Sequence, residues 1–171
     1  MVLNLNSYLM NRTFVGDIFI VRTDVGIRFF QFIGKDKCLL GADVIRIFSR
    51  TYNNDSIPTV EIVLNDRIEC YMHTSVSAGV KLNYWEKFAS SKELGQEEVF
   101  FRSSKDDLNG SHKGIVSKRW IVWKMNGERL FVGELPISYQ NADLGIVYAP
   151  KWVFYRIETG LDIEAKNYPR Y

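Results

Sequence analysis

Apolar and polar residues alternate with a period of two along much of the chain, and Gly, Asn or Asp separates the alternating runs. In residues 17–33, two such runs flank the sequence Asp24-Val25-Gly26. A period of two is the repeat of a β-strand, and small or short polar residues are frequent in turns. The pattern predicts a mostly β fold, an antiparallel sheet or a small barrel, in one domain covering residues 1–171.

Nine segments carry this strand pattern. They are residues 17–23, 27–33, 43–51, 59–64, 67–74, 98–102, 119–125, 129–134 and 152–158. Asn126-Gly127 predicts a two-residue type I′ hairpin turn, because both residue types tolerate positive φ angles. The strand before this turn has apolar residues on both faces, which predicts a central strand covered on both sides. A second hairpin is expected at Asn65-Asp66.

One short helix is expected where the apolar spacing changes from two to three or four. Its apolar face would consist of Leu82, Trp85, Phe88 and Ala89. Asn83 and Glu86 have the spacing of an N-terminal capping box, and Gly95 follows as a stop signal. We expect this helix to pack across a sheet, because an apolar face of this kind is stabilised mainly by burial.

The charge of the chain is nearly balanced, with 22 Lys and Arg residues, 20 Asp and Glu residues and a formal charge of +2. This balance argues against a large surface for nucleic acid or membranes. Residues 1–8 lack the basic and apolar regions of a signal peptide, and no apolar run is long enough to span a membrane. A cytoplasmic protein is therefore expected.

Cysteine and histidine are scarce and scattered. Cys38 and Cys70 are expected to be two separate buried thiols, which a cytoplasmic setting keeps reduced. With only two histidines and no clustering, the chain shows no metal-site pattern. It also contains neither a P-loop nor a dinucleotide-binding fingerprint, so we expect no cofactor.

Glu69 and His73 lie on the same side of the predicted strand 67–74, together with Arg67 and Tyr71. In a hydrolase, Glu69 could orient His73 as a general base. The same pattern is typical of the solvated face of a half-buried strand, which is the interpretation we favour. A hydrolase would also need a nucleophile, and the chain has no Gly-x-Ser-x-Gly elbow.

Residues 103–118 form the one long segment without an apolar period. Long polar segments in compact domains are either functional or connecting. Here Asp106 and Asp107 supply negative charge, while His112 and Lys113 lie between two glycines and could face an anion. We predict that these four residues contact a partner, and we keep a simple surface connector as the alternative.

An aromatic and basic surface for nucleic acid is a further alternative in the first third of the chain. Its members would be Arg22, Arg28, Arg46, Arg50, Phe29, Phe30 and Tyr52. Such surfaces stack bases on aromatic rings and bind phosphates through cations. The acidic residues Asp17, Asp24, Asp36 and Asp43 offset these charges.

Two parts of the chain resemble the immunity protein 26 family. Residues 16–21 read GDIFIV and residues 26–33 read GIRFFQFI, while residues 132–136 read VGELP and residues 149–154 read APKWVF. Members of that family are cytoplasmic partners of secreted bacterial toxins and carry no catalytic motif. The resemblance implies a protein that binds and inhibits a toxin. The alternative functions are a nucleic-acid-binding small-barrel module and, ranked last, a hydrolase that uses His73 and Glu69.

Overall fold

The structure is a computed structural model that describes residues 12–39, 41–95, 98–106 and 116–171. Nine strands lie in these ranges: β1 (Asp17–Thr23), β2 (Gly26–Asp36), β3 (Ala42–Phe48), β4 (Ile68–Thr74), β5 (Glu86–Ser90), β6 (Phe100–Ser104), β7 (Trp120–Lys124), β8 (Leu130–Gly133) and β9 (Asp143–Leu144). The helices are α1 (Val60–Leu64), α2 (Val76–Lys81), α3 (Pro150–Thr159) and α4 (Ile163–Asn167). Two 3₁₀ turns are described at Lys37–Leu39 and Ile137–Tyr139.

Five of the strands form one antiparallel sheet in the order β4-β3-β2-β1-β5. Alternate residues of its central strands point to opposite faces, and both faces are apolar. Phe19 and Phe30 pack on the face that α2 and α3 cover, whereas Ile18 and Phe29 pack on the opposite face with Val63 of α1. Burial on both faces explains why β1 and β2 read as almost continuous apolar runs.

The second sheet has four strands in the order β8-β7-β6-β9. All pairs are antiparallel except β6 and β9. Phe101 and Trp123 point from this sheet towards Val44 of the first sheet, and these three side chains form an apolar cluster between the sheets. Trp120 and Val122 point the other way and pack with Leu144 and Tyr168.

The prediction of a mostly β, antiparallel fold is confirmed, because strands account for 39% of the structure and helices for 22%. Within the described ranges the strands form two open sheets and no closed barrel. Four helices are described, where one short helix was predicted, and only α3 has seven residues or more. Of the nine predicted strands, seven are present.

Two predicted strands, 59–64 and 152–158, are the helices α1 and α3. Thr59 caps α1 through its Oγ1 atom, which accepts a hydrogen bond from the Ile62 N–H, and this local capping replaces the expected hairpin at Asn65-Asp66. In α3, Pro150 occupies the first turn and Gly160 ends the helix with a φ angle of 71°. Proline at the start and glycine at the end are strong helix boundaries, and they outweigh the β-propensity of the residues between them.

The helix predicted around residues 83–95 is wrong. Asn83 ends the preceding helix α2 instead of starting a new one: its φ angle is 59°, its N–H donates to Val80 O, and the Tyr84 N–H donates to Gly79 O. This is the hydrogen-bond pattern of a Schellman motif. The following residues form β5, which pairs with the free edge of β1.

The hairpin between β7 and β8 is present, and β7 is a central strand as predicted. The two-residue type I′ turn is wrong, because five residues connect the strands and only Asn126 of the pair Asn126-Gly127 has a positive φ angle, 62°. The Gly127 N–H donates to Lys124 O over 2.7 Å. Asn126 also contacts the 3₁₀ turn that follows β2: its Oδ1 atom accepts a hydrogen bond from the Lys37 N–H.

Candidate protein-binding site

Strand β8 lies at the edge of the second sheet, so within the described residues only β7 pairs with it. Its register places Leu130 opposite Val122 and Phe131 opposite Ile121, on the two faces of the sheet. Leu130 is 53% exposed and Phe131 is 60% exposed. An edge strand with exposed, large apolar residues on both faces is a favourable surface for another protein chain.

Charged side chains lie beside Phe131 and just beyond the end of β8. The Lys105 ammonium lies 4.9 Å from the centroid of the Phe131 ring, a cation–π contact. Just beyond β8, Glu134 forms an exposed ion pair with Lys118, with 3.0 Å between Oε1 and Nζ. Exposed apolar residues with a polar, charged rim are typical of protein interfaces.

Asp106 is the one predicted partner-binding residue that the structure describes. Its Oδ2 atom accepts a hydrogen bond from the Ser117 hydroxyl over 2.7 Å, and its Oδ1 atom accepts one from Arg119 over 3.1 Å. These contacts place Asp106 where β6 ends and β7 begins, next to Lys105. We call Lys105, Asp106, Leu130 and Phe131 the β8 surface.

The other three predicted contact residues, Asp107, His112 and Lys113, lie outside the described residues, so their role stays a prediction. Leu130 and Phe131 were not among the predicted contact residues. Their signal was present in the predicted strand 129–134, but the sequence does not reveal that this strand lies at a sheet edge.

Glu69 and His73 do not act together. The His73 side chain is completely buried, with Nε2 3.0 Å from Asp36 Oδ2 and its ring 4.1 Å from that of Phe101. Burial lowers the pKa of His73 more than the bond to Asp36 raises it, so the ring stays neutral. The interpretation of this face as solvated is therefore wrong at His73, and the buried ring cannot reach a substrate.

Glu69 is instead held between two arginines. Its Oε2 atom accepts a hydrogen bond from Arg28, and its Oε1 atom lies 3.0 Å from Arg156 Nη2. Arg28 also donates to the carbonyl oxygens of Phe48 and Ile157, so the cluster ties β2 to β3 and α3. These contacts make Glu69 a structural residue.

The proposed aromatic and basic surface for nucleic acid does not form. Arg28 and Arg46 are buried, as are Phe29 and Phe30. Arg22 is exposed but paired with Glu86. A buried guanidinium cannot contact a phosphate backbone, so the clustering along the sequence does not produce a basic face.

Both cysteines are free, as predicted, but their burial differs. Cys70 is buried, whereas Cys38 is only half-buried and its Sγ atom donates to Gly127 O over 2.9 Å. The prediction of two buried thiols is thus wrong for Cys38, which lies where Lys37–Leu39 meets the β7–β8 turn. Among the residues that the structure describes, no group of three or more His, Cys, Asp or Glu side chains could hold a metal ion.

No helix in the described ranges is long and apolar enough to cross a membrane. Comparisons of the chain with protein-family models, curated proteins and solved structures found no match.

Proposed function

We propose that this protein binds a protein partner through the β8 surface, and that the partner is a bacterial toxin which it inhibits. The proposal combines the exposed edge strand with the resemblance of the chain to the immunity protein 26 family. Part of that resemblance, residues 132–136, covers the end of β8 and the turn that follows it.

The observation that carries the proposal is the exposure of Leu130 and Phe131 on an edge strand. Natural proteins usually protect such edges with charges, proline or bulges, because unpaired strands recruit other chains. Here the edge instead presents a leucine and a phenylalanine. A partner could bury these side chains and pair its own backbone with β8.

The charges at the edge add selectivity. Lys105, Asp106 and Arg119 lie at the ends of β6 and β7, and Lys118 and Glu134 lie beside β8. Exposed charges of both signs change the association rate and exclude wrong partners more than they add affinity. A partner with a matching charge pattern would therefore associate with the β8 surface faster than other proteins.

The experiment is a binding titration with a toxin encoded beside the gene of this protein. We expect Phe131→Asp to weaken binding about tenfold or more, because it places a charge in the apolar centre of the interface. The matched control is Val25→Asp, since Val25 is 68% exposed in the β1–β2 turn and lies outside the β8 surface. Circular dichroism should show that both variants are folded.

A second readout is protection of cells that express the toxin. Wild-type protein and the Val25→Asp variant should protect, and Phe131→Asp should protect poorly. If the two variants bind the toxin with equal affinity, the β8 surface is not part of the interface. Failure of the wild-type protein to bind or protect would contradict the immunity function itself.

A further inference from the structure

The guanidinium of Arg102 lies against two aromatic rings, Trp120 and Tyr171, which also contact each other. It is 4.6 Å from the ring centroid of Tyr171 and 5.4 Å from that of Trp120. Arg102 is on β6, two strands away from β8 in the same sheet. Cation–π contacts with these two rings restrict the orientation of the planar group and remove part of its hydration.

Most of the hydrogen-bonding capacity of Arg102 is unused. Its Nε atom donates to Ala142 O over 2.9 Å, and within the described residues the two Nη atoms have neither a hydrogen-bond acceptor nor an ion-pair partner. Asp143 acts on Arg102 electrostatically without forming an ion pair with it, and the Asp143 Oδ2 atom accepts from the Tyr71 N–H on β4. A half-buried guanidinium without a directly paired carboxylate is unusual, because its lost hydration is only partly compensated.

A cavity of about 400 Å³ opens at this side chain. Arg102, Leu144, Pro169, Arg170 and Tyr171 contribute to its lining. Arg170 is exposed and forms no ion pair with a described residue, while its carbonyl oxygen accepts a hydrogen bond from the Ser117 N–H. The cavity thus combines two arginines with an aromatic wall and has the volume of a small-molecule site.

We propose that this cavity binds a small ligand through an oxyanion, a carboxylate or a phosphate group, held by the two Nη atoms of Arg102. Arg170 supplies a second positive charge at the opening, and the Tyr171 ring covers one side of the ligand. The planar fork of a guanidinium matches two oxygens of either group, and charge-assisted pairs of this kind are strong. The site does not depend on the toxin-binding function of the β8 surface.

The electrostatics of the cavity agree with this assignment. Burial lowers the pKa of Arg102, and the nearby Tyr171 and Asp143 offset only part of that effect. An arginine remains protonated under such a shift, so the charge persists without a bound counter-ion. A ligand oxyanion would compensate it.

The test uses the full chain with sodium phosphate and, separately, sodium acetate at constant ionic strength. NMR signals of the Arg102 Nε–H and the Trp120 indole N–H should shift and saturate with at least one of these anions. Saturation with phosphate alone supports a phosphate ligand, and saturation with acetate supports a carboxylate ligand. Uniform shifts that do not saturate would overturn the proposal.

Variants connect the binding to the residues. We expect Arg102→Gln to weaken binding about tenfold or more and Arg102→Lys to recover only part of the loss, because an ammonium cannot form the two-pronged contact. Arg22→Gln removes the same charge at an exposed position on β1, in the first sheet, and should leave the affinity for the anion unchanged. If Arg102→Gln does not fold, the titration uses Arg170→Gln instead, since Arg170 is exposed. Unchanged affinity of that variant for the anion would overturn the proposal.

Discussion

The Nε2 atom of His73 lies 3.0 Å from Oδ2 of Asp36, and neither side chain is exposed to solvent. The same carboxylate accepts hydrogen bonds from the Trp123 indole over 2.9 Å and from the N–H groups of Cys38 and Asn126. Asp36 is the last residue of β2, His73 belongs to β4 and Trp123 to β7. One buried carboxylate therefore connects the two sheets.

Replacement of Asp36 by Ala should destabilise the protein by about 3–5 kcal/mol, because four donors lose their acceptor, among them the buried side chains of His73 and Trp123. Burial raises the pKa of Asp36, but the hydrogen bonds lower it more, so the group is ionised at neutral pH. Urea unfolding measures the loss of stability. The exposed Asp55→Ala is the control and should change the free energy of unfolding by less than about 0.5 kcal/mol. A similar effect of both substitutions would mean that the buried network contributes little.

Asp143→Asn should stabilise the protein at neutral pH. Burial raises the pKa of Asp143 to about 6, although the Tyr71 N–H, Arg156 and Arg102 lower it in part and Asp162 raises it. Because the folded state binds this proton more tightly than the unfolded chain, ionisation costs stability above the folded pKa. That cost disappears as the pH falls towards the ordinary pKa of an aspartate.

We expect a gain of roughly 1–3 kcal/mol at about pH 7.5 and almost none at about pH 4. Urea unfolding of both proteins at the two pH values measures the difference. Asp55→Asn is again the exposed control. A gain that is independent of pH would show that the carboxyl of Asp143 is not the cause.

Asn126 contributes to the β7–β8 turn in two ways that substitution can separate. Its φ angle of 62° costs most residues about 1 kcal/mol but costs Gly little, and its Oδ1 atom accepts a hydrogen bond from the Lys37 N–H. Asn126→Gly removes only the hydrogen bond, whereas Asn126→Ala removes it and adds backbone strain. Thermal or urea unfolding should therefore give a larger loss for Ala than for Gly, by about 1 kcal/mol. Equal losses would contradict a strained turn.

The two thiols should react at different rates. Burial raises the pKa of Cys70 to about 12, so its thiol is neutral and shielded. Burial and Asp36 also raise the pKa of Cys38, but this side chain is half-buried. A disulfide reagent should modify one thiol slowly in the folded protein and two in denaturant without reductant. Cys38→Ser should abolish the slow native reaction, and a native reaction that persists in that variant would place the accessible thiol at Cys70.

Local patterns were sufficient for most of the strands. The predicted strand 17–23 coincides with β1, since its alternation and its flanking turn residues are set within a few positions. The helices α1 and α3 were missed because their apolar residues are β-branched or aromatic, and such residues fit both structures. The Asn83 region was misassigned because an asparagine can begin one helix or end another, and only the neighbouring hydrogen bonds distinguish the two.

Less of the candidate site than of the fold could be predicted from the sequence. Asp106 was predicted as a contact residue from the polar character of its segment, and it follows Lys105 just after the end of β6. The exposure of Phe131 was not predicted, because Phe131 and its cross-strand partner Ile121 belong to the same kind of alternating run. Whether such a residue is buried depends on which strand lies next to it.

The sequence by itself determined that this chain forms antiparallel strands with two apolar faces, because side-chain alternation is a local property of the backbone. Only the tertiary structure decided which part of a face meets water. The alternation predicted that His73 shares a solvated face with Arg67, but His73 lies beneath Phe101 of the second sheet. A register shift in β4 opposite Ile47 and Phe48 also places Ile68 and Cys70, two residues apart, on opposite faces of the first sheet. Alternation assigns a residue to a face of its own sheet. Contacts between distant segments decide whether a second sheet covers that face, and a local pattern does not encode those contacts.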